Sequence, residues 1–346
     1  MEYRPLGRSG IDVSAICLGT MTWGEQNSRD EGFAQMDFAI DRGVTFWDTA
    51  EMYAAPPRQE TYGRTEEIIG EWLASRGGRE RIVLASKVVG PSPRMSYIRG
   101  GQARLDRANI EAALEASLKR LGTDYLDLYQ LHWPERSTNF FGKLGYRHEE
   151  ERDGTPIEET LAVLDDLVTA GKVRTVGLSN ETAWGVMRFL GLSEQGKGPR
   201  VVSVQNPYSL LNRSFEAGLA EVAMRESCGL LAYAPIAAGA LTGKYMNGER
   251  PEGARMTLFP SNTRYFTANG VAATEAYVAL AKRHGLDPAV MAGAFVYRQP
   301  FLTASIVGAT STAQLETQLQ AAETHLSEEV LTDIEQIHQQ FTYPCP

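Results

Sequence analysis

Short runs of apolar, β-prone residues recur along this chain at 15–18, 44–47, 82–86, 125–131, 173–178, 201–205, 230–234 and 303–307. The segments between them carry a helical period. In 109–121, for example, Ile110, Leu114, Leu118 and Leu121 fall on one face. Strand and helix therefore alternate, which predicts parallel strands joined by right-handed crossovers. Eight such units predict an α/β fold, a closed (β/α)8 TIM barrel rather than an open doubly wound sheet, forming a single domain over residues 1–346. Ahead of the first run, Tyr3-Arg4-Pro5-Leu6-Gly7 and Ile11-Asp12-Val13-Ser14 flank a glycine-containing turn and predict an N-terminal β-hairpin.

Four segments after predicted strands, at 54–64, 90–107, 134–155 and 246–268, are too long for simple connectors. In a barrel such loops lie on the C-terminal face, where sites are built, so they are expected to shape a pocket. The tail beyond Leu326 reads as a helix, after which 341–346 is expected to fold back over the barrel.

Composition narrows the function classes. The 346 residues are 43% hydrophobic and 22% charged, enough apolar surface for a sizeable core. A net charge of -9 repels phosphate backbones and anionic lipid, so neither nucleic acid nor a membrane surface is an expected partner. No apolar run approaches the length of a membrane span, and Met1-Glu2-Tyr3-Arg4-Pro5 does not begin a signal peptide. Cys17, Cys228 and Cys345 are scattered and odd in number, which reads as reduced thiols and a cytoplasmic location. The pattern does not predict an oligomeric state.

The chemistry concentrates at strand ends. Phe46-Trp47-Asp48-Thr49-Ala50-Glu51-Met52-Tyr53 places an acid at the end of the second run and a tyrosine on the exiting loop. Lys87 ends the third run and His132 the fourth, so all four are expected at the mouth of one barrel. This set suits carbonyl reduction, because an alkoxide formed by hydride addition needs a proton donor and nearby positive charge. Tyr53 can donate the proton, a close Lys87 ammonium would lower its pKa from about 10, Asp48 would hold the lysine, and His132 would orient the carbonyl. Each residue also has a plainer structural reading: a mouth ion pair for Asp48 and Lys87, a satisfied core histidine, a loop aromatic. Glu51, Asp127, Glu135, His148 and Glu149 are further polar residues near the expected mouth, but they form no convincing ligand set, and His148 stands in a charged run at 147–152 that reads as a solvated loop. No metal is expected.

Asp48-x-Ala50-x-x-Tyr53 with Lys87 and His132 resembles the tetrad of the aldo-keto reductase superfamily, in order and position along the whole chain. The resemblance implies Tyr53 as general acid tuned by Lys87 and Asp48, His132 in carbonyl binding, and NADPH bound across the barrel mouth without a Rossmann motif. It implies further cofactor contacts from Gly19, Thr20 and Met21; from Ser179, Asn180 and Gln205 to the nicotinamide carboxamide; and from Tyr233 stacking on the ring. Pro235, Gly239, Leu241, Gly243 and Lys244 correspond to the pyrophosphate loop, and Arg264 to an arginine on the adenosine phosphate. Gly308, Ala309, Thr310, Gln314 and Gln318 correspond to the 2'-phosphate and adenine region at a helix N-terminus. One departure stands out: family members commonly read Gln-Leu-x-Glu-Asn where this chain reads Gln314-Leu315-Glu316-Thr317-Gln318.

The expected activity is therefore NADPH-dependent reduction of small aldehydes or ketones to alcohols. The competing readings are an NADPH-binding sensor or accessory protein with weak turnover, and a barrel hydrolase, for which no metal site or carboxylate pair is found. Trp23, Trp133, Phe140, Phe141 and Tyr146 are candidates for an apolar substrate pocket.

Overall fold

The structure, a computed structural model, describes residues 1–150 and 154–346. The hairpin forms from β1 (Tyr3–Pro5) and β2 (Asp12–Ser14), with Pro5 opposite Asp12. Eight parallel strands follow: β3 (Ile16–Gly19), β4 (Phe46–Asp48), β5 (Val83–Val88), β6 (Leu126–Leu131), β7 (Val173–Ser179), β8 (Val201–Pro207), β9 (Gly229–Tyr233) and β10 (Leu302–Val307). They close in chain order into a barrel, β10 pairing back onto β3. The expected fold is the observed one. The eight runs shift by a residue or two, and β5 extends to Val88, which brings Lys87 into the strand itself.

Helices cover the barrel: α1 (Arg29–Asp41), α2 (Arg64–Arg76), α3 (Arg107–Leu121), α4 (Ile157–Thr169), α5 (Ala183–Glu194), α6 (Leu219–Glu226), the short α7 (Arg255–Leu258), α8 (Ala268–Arg283), α9 (Pro288–Tyr297), α10 (Thr312–Glu323) and α11 (Glu328–Gln340). Local chemistry sets their ends. Ser28 and Glu31 make a reciprocal capping box at α1, and Asp106 caps α3. Asp287 caps α9, whose first turn begins with Pro288, a residue that gives up an N–H no helix bond needs there. Every residue of α9 after Pro288 is buried, so it carries no polar face and packs as an inner helix.

Two apolar layers hold the molecule. An outer layer lies between strands and helices. An inner one, with Cys17, Phe46, Ala85, Leu128, Leu231, Ala304 and Ile306, fills the barrel and takes in Leu6, Ile11 and Val13 of the hairpin segment. The hairpin thus plugs the end where the strands begin. It sits so close that a Cβ on Gly7, whose φ is +56°, would lie 2.5 Å from the Val202 carbonyl oxygen.

The long loops fall on the opposite end. Loop 54–64 carries a 3-10 turn at Gln59–Thr61, loop 90–107 one at Ile98–Gly101, and 246–268 carries α7. Of the segment 134–155 and the charged run 147–152, residues 151–153 lie outside the described residues. The tail folds back as expected: the Cys345 amide donates to the Leu211 carbonyl, Thr267 Oγ1 to that of Pro344 and Arg264 Nε to that of Pro346. Among the described residues, no helix is long and apolar enough to cross a membrane.

Candidate active site

Asp48 is the last residue of β4, Lys87 lies next to last in β5, and His132 follows β6 directly, so strand direction alone points three side chains at one space. Tyr53 comes back to it from the β4 loop. Lys87 is fully buried, and its Nζ donates to Asp48 Oδ2 at 2.6 Å, to the Thr49 carbonyl at 2.8 Å and to the Tyr53 hydroxyl at 3.4 Å. All three ammonium hydrogens are thereby used. The Tyr53 and His132 rings meet edge to face, with centroids 5.8 Å apart.

Electrostatics gives each group a protonation state. Burial works against the Lys87 charge, but the Asp48 carboxylate and the Tyr53 oxygen outweigh it and hold the ammonium above its ordinary value. Burial followed by Lys87 pushes His132 well down, so the ring is neutral at physiological pH, with Nδ1 buried and unpartnered. The Tyr53 phenol departs from the sequence expectation. Burial raises its pKa by more than Lys87 lowers it, and the group stays a phenol, which is the form a proton donor needs.

Asp48 is held by more than the lysine. Gln130 Nε2 donates to its Oδ1 at 3.1 Å and Gln205 Nε2 at 2.8 Å, while Thr20 Oγ1 donates to its carbonyl. Gln130 escaped the sequence reading because an inward-facing glutamine within a strand has no distinguishing spacing. Glu51 is the second residue whose part was missed. Fully buried, it accepts from the Val89 amide, the Tyr62 hydroxyl and both terminal nitrogens of Arg99, and so knots the loop carrying Tyr53 to the strand carrying Lys87 and to loop 90–107.

Other expected mouth residues lie elsewhere or do other work. Asp127, near the start of β6, accepts from Arg79, Arg174 and the Leu84 amide at the far end of the barrel. Glu135 anchors Arg104 and the Leu105 and Thr155 amides. His148 is exposed and meets Tyr146 by hydrogen bond. Among the described residues, no group of three or more His, Cys, Asp or Glu is arranged to hold a metal. Trp23 is not a pocket residue: it is fully buried, donates to Gln35 and packs where a Cβ on Gly32 would be. Trp133 and Phe140 do stand beside Tyr53, with Met52 and Met95, and Phe141 packs edge-on against Trp133. Tyr146 is exposed beyond them.

The residues expected to meet a cofactor stand mostly at or after strand ends on the same end of the barrel. Ser179 Oγ donates to the Gln205 carbonyl; Asn180 Nδ2 donates to the His132 carbonyl and accepts the Tyr233 hydroxyl on Oδ1, joining β6, β7 and β9. Gly19 and Thr20 are buried at the end of β3, where a Cβ on Gly19 would strike Ile306, and Met21 accepts the Ala55 amide. After Tyr233 the backbone turns tightly, with Ala234, Ala237 and Ala238 at positive φ, then Gly239 and Gly243. Pro235 is buried, and the Leu241 side chain is in the core, so Leu241 can offer only backbone. Lys244 makes no ion pair among the described residues, and burial lowers its pKa. Gly308 is exposed with open space where a Cβ would be, Ala309 is buried, and Gln314 Oε1 accepts the Thr310 amide. Gln318 is buried with both amide atoms unpartnered.

Arg264 Nε donates to the Pro346 carbonyl, and its guanidinium lies beside Tyr233. A second arginine stands out: Arg255 of α7, whose Nη1 is buried with no hydrogen-bond partner among the described residues and whose charge bears on Tyr53 and Tyr265. Lys244 and Arg255, both part-buried and without an ion pair among the described residues, stand near a Gly-rich turn and suit an anionic group.

Barrel and mouth cluster are those of an oxidoreductase class to which the sequence also points: residues 15–339 match the Aldo/keto reductase family, and this chain belongs to it. It is 53% identical over 347 residues to Protein tas of Escherichia coli K12, covering both chains entirely. It is 34% identical to the uncharacterized oxidoreductase YrpG of Bacillus subtilis, over 96% of this chain and 94% of that one. With the L-glyceraldehyde 3-phosphate reductase of Escherichia coli O157:H7 it shares 31% identity over 93% of this chain and 87% of the relative. Aldo-keto reductases act on small carbonyl compounds with nicotinamide cofactors, and the chain is an oxidoreductase of that kind.

Proposed function

We propose that this protein, as a single barrel domain, reduces small aldehydes or ketones to alcohols with NADPH, and that Tyr53 supplies the proton. The observation carrying this reading is the placement of the Tyr53 hydroxyl 3.4 Å from Lys87 Nζ, beside a neutral histidine at an apolar mouth. The bound cofactor supplies hydride to the carbonyl carbon. As the carbonyl oxygen gains charge, the Tyr53 O–H bond breaks and the proton passes to that oxygen. The phenolate left behind faces the Lys87 ammonium, which Asp48 keeps charged. His132 orients the carbonyl oxygen through its ring nitrogen.

Gln205, Ser179 and Asn180 would hold the nicotinamide carboxamide, Tyr233 would flank the ring, and Lys244 with Arg255 would meet the pyrophosphate. Gly308, Ala309, Thr310, Gln314 and Gln318 would line the adenosine end. Trp133, Phe140 and Phe141 suit an apolar or aromatic carbonyl. The free, buried Cys17, Cys228 and Cys345 support a cytoplasmic location.

The test is NADPH binding by fluorescence, followed by NADPH oxidation with a panel of aromatic aldehydes, in wild type and Tyr53→Phe. Binding in both with turnover lost in the variant by about 10²-fold or more supports the reading. Tight binding with no carbonyl reduced moves the sensor reading ahead, and absence of binding removes the cofactor assignment.

A further inference from the structure

Gln130 lies fully buried in β6, opposite Lys87 on one side in register and opposite Gly177 of β7 on the other. Its Nε2 donates to Asp48 Oδ1 at 3.1 Å, and its Oε1 accepts from Gln205 Nε2 at 3.1 Å. Gln205 Nε2 also donates to Asp48 Oδ1 at 2.8 Å. Gln205 reaches Gln130 from β8 across the whole of β7, and it can do so because Gly177 has no side chain. A Cβ there would stand 3.3 Å from Gln130 Cγ and 2.8 Å from Ser203 Oγ.

An ionised carboxylate offers only acceptors, so both glutamines must turn their nitrogens toward Asp48. With both Gln205 N–H groups spent on Asp48 and Gln130, only its Oε1 is left for a ligand. We propose that Gln130 is a positioning residue that fixes the sense of the Gln205 amide, so that the site takes a nicotinamide ring only with a carboxamide N–H directed at Gln205. This rests on the cofactor reading above. The array Asp48–Gln130–Gln205 then ties the orientation of the ring to the same carboxylate that holds Lys87. Removing Gln130 leaves one Gln205 hydrogen unpaired in a dry site, and the amide loses its single orientation.

The test compares, by quenching of protein fluorescence, binding of thionicotinamide-NADP⁺, which keeps the N–H donors, with 3-acetylpyridine-NADP⁺, which lacks them. Wild type should bind the acetylpyridine analogue about tenfold more weakly, the cost of facing a buried acceptor with no donor. Gln130→Met, similar in length but without donor or acceptor, and Gly177→Ala, which displaces Gln130, should each narrow that ratio to about twofold, with thermal melting confirming that they fold. Two variants acting through different atoms keep the test decisive if one is unstable. An unchanged ratio in a folded variant, or no discrimination by wild type, overturns the role of Gln130. If wild type binds neither analogue nor NADP⁺, it is the cofactor reading that fails.

Discussion

Lys87→Met is the substitution with the most to teach, because it separates what the tetrad does for folding from what it does for chemistry. The side chain is fully buried and methionine fills most of its volume, so the loss is mainly electrostatic. Three donated bonds disappear, and Asp48 Oδ2 loses its partner while Oδ1 keeps Gln130 and Gln205. Removing one member of a buried ion pair costs about 3–5 kcal/mol, because the other is left uncompensated. An isolated aspartate can instead take a proton, which at pH 7 costs about 4 kcal/mol starting from an ordinary value near 3.9. The expected destabilisation at pH 7 is therefore about 3–4 kcal/mol, bounded by that escape.

The bound makes the loss pH-dependent with a definite sign. A folded variant that holds a proton its unfolded chain lacks gains stability as pH falls, by up to about 1.4 kcal/mol per unit between pH 7 and 4. The deficit relative to wild type should shrink on acidification. Calorimetric and urea melts of wild type, Lys87→Met, Asp48→Asn and the double variant measure this. The double variant should be more stable than the sum of the single losses allows, with a coupling of about 2 kcal/mol or more. A loss below about 1 kcal/mol at pH 7, or strict additivity, refutes the account of Lys87 and Asp48 as a mutually dependent buried pair.

Other expectations follow from the same geometry. With Tyr53 held above its ordinary pKa, carbonyl reduction should stay level from pH 6 to 9, whereas alcohol oxidation, which needs the phenolate, should rise throughout; a reduction rate already falling near pH 7 contradicts the assignment. Arg255→Met should weaken NADPH and NADH alike by about tenfold, the scale of one charged hydrogen bond, and Arg264→Met should leave both nearly unchanged, as titrations can show. Arg99→Met strands the Glu51 carboxylate and should lower the melting free energy by about 3–5 kcal/mol. Trp133→Ala should raise KM for bulky aromatic aldehydes while Trp23→Ala costs stability instead, a contrast that steady-state kinetics and melting would expose.

The eight strands and the tetrad were legible because both are written locally. Apolar runs of strand length mark themselves, and Asp48, Lys87 and His132 stand at the ends of such runs, where barrel geometry assigns them a place. What the sequence left hidden depends on pairs far apart in the chain. Nothing near Gln130 or Gly177 announces that one makes room for the other, and Glu51 looked like a spare acid until Arg99, 48 residues away, came to meet it. Asp127 was set near the mouth although the run 125–131 already puts it toward the strand's start; as the second residue of β6 it serves the opposite end of the barrel. Trp23 shows the converse error, an aromatic in a loop segment that burial claims for the core. Tyr53 was assigned the right neighbour but the wrong balance, since burial has no signature in the spacing of residues.

The hairpin plug has a bearing on traffic. With Leu6, Ile11 and Val13 packed beneath the filled barrel, a reactant would reach Tyr53 from the end that carries the long loops.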